Sequence, residues 1–165
     1  YITSIGNHDQ SFCMKGGLDP IKYLEAKMAK NGKRFTYLNA YEGNIIHAGI
    51  VFRLIHLQGG AARAASYKVQ VYLSRVFESN LNDVYIGGKC YNLRSIQAGH
   101  FHTTYSLSIS GVTIVMLGNF QHDGDLEKRM GITGKTGGVF RELTIVGDKI
   151  VREKIEFYRP WQKEV

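Results

Sequence analysis

Cysteine and proline are nearly missing from this chain: there are two of each, and one tryptophan, among 165 residues. Cys13 and Cys90 are too few and too far apart for a disulfide framework or a cysteine-ligated zinc site, although a single bond between them stays open. No apolar run approaches the roughly 18 residues of a membrane-spanning helix, so no membrane span is expected. There is no low-complexity tract, no internal repeat and no Asn-x-Ser/Thr sequon. The compartment is therefore left open. Tyr1 in the place of a methionine raises the expectation of a removed leader, and with it a secreted or organellar location.

Familiar catalytic patterns are absent as well. No carboxylates pair at a recognisable spacing, no order of Ser, His and Asp carries meaning, and no Rossmann glycines occur. Gly134-Lys135-Thr136 ends like a phosphate-binding loop, but position 129, where that loop needs glycine, is Arg129. The residues that follow, Val139 to Val146, alternate and are β-branched, as in a strand, whereas a P-loop opens a helix. A glycine-rich bend feeding a strand is the better description.

The net charge of +7 is scattered. Its densest group is Lys27, Lys30, Lys33 and Arg34, and Lys149, Arg152, Lys154, Arg159 and Lys163 make an ordinary surface pattern. Without a recognition helix or an aromatic RNA-binding motif, a solvated basic surface is preferred over a nucleic-acid footprint, and no nucleic-acid partner is expected.

What the chain has is glycine (19), tyrosine (ten) and phenylalanine (eight), a composition of strands and tight turns in one globular domain. Residues 1–34 are read as an N-terminal extension, unstructured over 1–18 and helical over about 19–31. The helix rests on Asp19 as cap, Pro20 at the first helical position, late lysines and Gly32 past the end, with Ile21, Leu24 and Met28 on one stripe. Residues 35–165 are read as a short strand or extended arm at 35–41 and then eight strands: 50–58, 67–78, 84–86, 89–96, 100–110, 112–118, 138–146 and 149–158. Hairpin turns are expected at Ser110-Gly111 and Gly147-Asp148. Consecutive antiparallel strands predict an all-β fold, an eight-stranded up-and-down β-barrel behind a helix-containing N-terminal extension.

Thr113-Ile114-Val115-Met116-Leu117-Gly118, a loop, and then Gly131 to Phe140 resemble the paired signature of the allene oxide cyclase and dirigent protein barrels. Gly88 to Leu93 and His102 to Gly111 fit the two preceding strands of the cyclases. The resemblance implies a barrel, commonly trimeric, that holds a hydrophobic reactive small molecule and steers ring closure by shape, without a cofactor. The departures are the family acids: Arg53 stands where the cyclases have Glu, and Leu57 follows His56 where dirigent proteins have Asp.

Strand parity then places Val51, Arg53, Ile55 and Leu57 on the lumen face, with Val139, Arg141, Leu143 and Ile145 inward on a later strand. Arg53, Arg141 and Tyr105 are the expected catalytic residues, the arginines as donors to a ligand oxygen that gains charge. Val51, Ile55, Leu57, Tyr72, Cys90, Phe120, Val139 and Leu143 are the expected ligand-binding residues. Bland alternatives stand beside these: the arginines pair with Glu78 or Glu142 at the surface, the aromatics fill the barrel, and Cys90 is an inert thiol. His100 and His102 share a strand face and could hold a metal with His122 or Asp123, but a surface or interface pair is preferred and no metal is expected. The functional expectation is a cofactor-free cyclase or isomerase. A non-catalytic carrier of a hydrophobic ligand, a dirigent-type barrel or a structural domain are the alternatives. The helix is expected to lid the lumen, and an outward patch of Ile50, Phe52 and Leu54 to make a homotrimer.

Overall fold

The computed structural model describes residues 2–5, 7–58, 65–79, 82–118, 125, 129 and 137–158. Its elements are β1 (Ile2–Ile5), α1 (Asn7–Gly16), α2 (Pro20–Lys30), β2 (Thr36–Ala40), β3 (Glu42–His47), β4 (Ile50–His56), α3 (Ala65–Glu78), β5 (Asp83–Ile86), β6 (Lys89–Gly99), β7 (Tyr105–Ile109), β8 (Val112–Met116), β9 (Gly138–Val146) and β10 (Lys149–Tyr158).

A six-stranded mixed sheet is the centre of the fold, in the order β3-β4-β6-β8-β7, with β5 paired to the early part of β6. The inner neighbours β4, β6 and β8 run parallel, and the outer partners β3, β7 and β5 are antiparallel. Parallel neighbours require a crossover, and between β4 and β6 the chain passes through α3. Strands covered on both faces need apolar residues at every position. Accordingly β8 (Val-Thr-Ile-Val-Met) is buried throughout, and β4 opens with the fully buried Ile50 and Val51.

One face of the sheet packs on α3. Val69, Leu73 and Val76, three to four residues apart on the helix, meet Val51, Ile96, Ala98, Ile114 and Met116 in a single cluster. Alternation turns Ser95 and Thr113 to the other face, where the β9–β10 hairpin lies. Arg141 of β9 donates to Ser95 Oγ and pairs with Glu153 of β10 at 2.5 Å, and Thr113 Oγ1 donates to Glu153 at 3.2 Å.

Local chemistry explains the shorter elements. Asp19 Oδ1 accepts from the Ile21 and Lys22 amides at 3.0 and 3.1 Å and caps α2, and Pro20 begins it. The Ser110-Gly111 turn has φ of 49° and 78°, the primed geometry that suits a two-residue hairpin. Gly43 has no substitute of ordinary size, because a Cβ there would lie 2.5 Å from Leu38 Cβ where β2 folds back against β3.

The closed up-and-down barrel is thus wrong, since a ladder with two parallel junctions is a mixed α/β sheet and encloses no lumen. Residues 67–78 are helical and not a strand; Tyr67, Val69, Val71 and Leu73 alternate as a strand would, but the buried positions follow the helical period. Residues 100–104 are a loop, while β1, α1 and β3 were not expected from the sequence. Ile50, offered as part of an outward trimer patch, is fully buried within its own chain, so that warrant for a homotrimer is lost. Nor does α2 lid a lumen: its Glu25 accepts from the Tyr37 amide at 2.9 Å and holds the helix against β2. No helix among the described residues is long and apolar enough to cross a membrane.

Leu73 is fully buried between α3 and the sheet. Leu73→Ala should lower the unfolding free energy by about 2–5 kcal/mol, read as a reduced urea midpoint with the slope unchanged.

Candidate functional site

Parallel strands end on the same side of a sheet, and here that side carries histidine. In the β4–β6 ladder His56 pairs with Gly99, the last residue of β6, so His100 is the first residue beyond the strand and stands next to His56. His56 Nε2 and His100 Nδ1 are 3.0 Å apart, with ring centroids at 4.9 Å and planes at 77°. Both rings are half-buried. The loop that presents His100 is held by Phe101, buried in the core and edge-on to the His100 ring at 4.9 Å, and by the buried Thr103 and Thr104. His100 and His102 have φ of 107° and 52°, backbone states that non-glycine residues adopt at a cost of the order of 1–3 kcal/mol each.

A third element reaches the same edge. Ile5 at the end of β1 pairs with Ala40 at the end of β2, and the carbonyl of the next residue, Tyr41, accepts from the His56 amide at 2.6 Å. The β1 strand therefore finishes beside the end of β4, and α1 starts there with Asn7, His8 and Asp9. Sequence reading left 1–18 without structure and passed over this histidine. A Gly-Asn-His-Asp run directly after a short β-branched segment was the available signal.

Beside the pair, a cavity of about 520 Å³ opens between the end of β4 and α3. Tyr41, His56 and Leu57 line its sheet side, and Lys68, Tyr72 and Arg75, at helical spacing, line its other side. Glu42 is also in the wall, and its carboxylate is paired with Arg53 at 3.2 Å.

The expected catalytic residues are dispersed. Arg53 is buried under α3, donating to Asn44 Oδ1 at 2.9 Å and to the Tyr72 hydroxyl at 3.3 Å. Burial pushes the Tyr72 phenol up, and the bond from Arg53 opposes that in part. Arg141 lies on the opposite face of the sheet in its pair with Glu153, and Tyr105 is on β7. With no lumen, the inward orientation assigned to both arginines has no common interior to point into. Val51 and Leu57 are in the core, with Ile55 and Tyr72 packed against it. Cys90 is an exposed free thiol near the β5–β6 turn, and Val139 and Leu143 are half-buried on β9. Phe120, His122, Asp123 and the glycine element 131–136 lie outside the described residues. Among the described residues of the expected set, Ile55, Leu57 and Tyr72 line the cavity.

No protein-family model matches the sequence, and no curated protein matches it. Among solved structures, the chain is similar to Vps29 from Entamoeba histolytica, in a complex with Zn2+, at 10% identity and a TM-score of 0.46, over 81% of this chain and 73% of that one. It is similar to Vacuolar Protein Sorting 29 from Cryptosporidium parvum at 10% identity and a TM-score of 0.44, over 95% of both chains. A Thermotoga maritima protein solved by NMR in solution is similar at 16% identity and a TM-score of 0.40, over 86% of this chain and 74% of that one. These likenesses are too distant to assign a relative or a role. The mixed sheet with two parallel junctions is by itself different from the closed antiparallel barrel of the allene oxide cyclase and dirigent proteins. The barrel family, the barrel cyclase or carrier function, and the partner expectation of a trimer around a hydrophobic substrate are corrected on that sheet topology.

Tyr105 is half-buried, and burial pushes its phenol from 10.0 up to about 12. The folded state holds this proton more tightly than the unfolded one. Its stabilising contribution is complete below pH 10 and is lost as the pH rises toward about 12. In an ultraviolet titration the step that Tyr105→Phe removes should lie late, toward about pH 12; if the step removed lies at the ordinary tyrosine value instead, this burial is contradicted.

Proposed function

We propose that the edge formed by β4, β6 and the start of α1 is a divalent-metal centre, that His56 and His100 are two of its ligands, and that the chain is a metal-dependent hydrolase. The observation that carries the proposal is the 3.0 Å separation of His56 Nε2 and His100 Nδ1. Two nitrogens bound side by side to one ion at about 2.0–2.1 Å lie about 3 Å apart, so the pair has the spacing of neighbouring ligands. The strained backbone at His100 and His102 supports a functional loop, since such cost persists where the surroundings hold the residue for a purpose. A third support is location, because ligands of open sheets containing parallel strands sit beyond the C-terminal strand ends.

Two imidazoles do not fill a coordination sphere. Among the described residues no group of three or more His, Cys, Asp and Glu is gathered. When bound, a divalent cation supplies Lewis acidity toward an ester oxygen and acidifies water. The chain's own residues fix the imidazoles, through Phe101 below His100 and the Tyr41 carbonyl on the His56 amide. The neighbouring cavity gives a substrate room of a size common for small ligands, about 300–1,000 Å³.

Equilibrium dialysis against Zn2+ or Mn2+, followed by elemental analysis, should find stoichiometric metal. His56→Ala and His100→Ala should each weaken it at least tenfold while circular dichroism is unchanged. Metal-stimulated turnover of 4-nitrophenyl esters should fall in the same variants. Metal that binds equally to the wild type and to both variants would sink the proposal.

A further inference from the structure

The wall of the cavity beside His56 is unevenly charged. Its carboxylate, Glu42, is already matched by the buried Arg53. Lys68 and Arg75, on one face of α3, have no ion-pair partner among the described residues. The cavity is thus left with uncompensated positive charge, which attracts an anion.

Its aromatic content is equally uneven. Tyr41, Tyr67 and Tyr72 all line it, and they differ in how firmly they are held. Tyr72 is fixed, with its hydroxyl accepting from Arg53 Nη1 at 3.3 Å. Tyr41 is placed by a positive φ of 65° and lies 6.3 Å from the His56 ring, centroid to centroid. Tyr67 is 62% exposed at the rim, one turn of α3 before Val71, with no core position to account for its large apolar ring. Tyrosine faces and edges accept flat rings by offset or edge-on packing, and Ile55, Leu57 and Val71 supply an apolar floor.

We propose that this cavity is a binding subsite for an aromatic anion, a flat ring bearing a phosphate-like or carboxylate group. The ring lies among Tyr41, Tyr67 and Tyr72, and the anionic group is held by Lys68 and Arg75. His56 belongs both to the cavity wall and to the histidine pair, so a ligand seated here lies beside the edge site. That the ligand is the substrate of that site rests on the metal-centre proposal; that the cavity binds it does not.

The test is isothermal titration calorimetry with the full chain in excess EDTA, which separates the subsite from any metal. Phenylphosphonate, which cannot be hydrolysed at an ester bond, is compared with methylphosphonate (charge without ring) and benzyl alcohol (ring without charge). Phenylphosphonate should bind at least tenfold more tightly than either. Lys68→Gln with Arg75→Gln should remove that advantage at least tenfold, and Tyr67→Ala should weaken phenylphosphonate while leaving methylphosphonate unchanged. All three substitutions lie on the solvent side of α3 or at its rim, and an unchanged urea midpoint confirms the fold. Phenylacetate in place of phenylphosphonate tells a carboxylate preference from a phosphate one. Equal affinity for phenylphosphonate and methylphosphonate, no binding of phenylphosphonate, or binding unaffected by the double substitution would each overturn the subsite. Loss of metal binding with phenylphosphonate binding intact would count against the metal centre alone.

Discussion

Two parallel junctions, β4 with β6 and β6 with β8, constrain everything else in this molecule. Parallel neighbours cannot be joined by a hairpin: between β4 and β6 the chain leaves the sheet and returns through α3, and between β6 and β8 it passes through the edge strand β7. The helix then needs a face to bury, and the sheet needs a cover; Leu73, Ile96 and Ile114 meet for both reasons. The same junctions bring the ends of β4 and β6 to one side. His56 opposite Gly99 is a matter of ladder register, and a slip of one residue would carry His100 away from its partner. Core and site are therefore set by the same pairing.

The two buried arginines show how this sheet accommodates charge on both faces. Arg53 lies under α3 with Asn44, Tyr72 and Glu42, while Arg141 lies under the β9–β10 hairpin with Glu153 and Ser95. Each ion has a carboxylate partner, as a desolvated guanidinium requires, although Arg141 Nη2 is buried without a hydrogen-bond partner among the described residues. Such pairs add little net stability against an apolar replacement, but loss of one partner leaves a charge without compensation. Arg141 ties the hairpin to β6 through its hydrogen bond to Ser95 Oγ. Arg53 does more for the cavity than for the core: by neutralising Glu42 and fixing the Tyr72 hydroxyl it shapes the wall and leaves Lys68 and Arg75 to set its sign.

Much of the local structure could be read from the sequence, and the topology could not. Asp19, Pro20 and Gly32 marked α2 because capping is chemistry within a few residues. The hairpins at Ser110-Gly111 and Gly147-Asp148 were legible for the same reason, since a two-residue turn needs positive φ. The α3 helix was misread because valine at 69, 71 and 76 has a strand's preference, and alternation over Tyr67 to Leu73 imitates a period of two. Burial at Val69, Leu73 and Val76 selects the helical period only once a sheet exists to pack against. The continuous apolar run of β8 did carry a sign of parallel neighbours, because a strand covered on both faces has no polar side. Taken instead as one more antiparallel strand, it led to a barrel. The site shared that fate: His100 and His102 were noticed as a pair on one strand face, yet the pairing that matters joins His100 to His56, 44 residues away.

That distance explains why the edge is informative. Residues brought together by a hairpin are close in sequence and can meet by chance of composition. His56 and His100 meet only through a crossover, a parallel ladder in register and a loop that holds positive φ at His100. Each of these has a cost: chain entropy for the long connection, backbone strain at the turn, and desolvation of two half-buried imidazoles. The core offsets the first, because α3 is needed to cover the sheet in any case. It does not require the other two. A glycine at 100 would relieve the turn, while the hydrogen bond between His56 Nε2 and His100 Nδ1 offsets part of the desolvation. Register and loop together bring the two nitrogens 3.0 Å apart, beside a cavity whose walls carry Lys68 and Arg75.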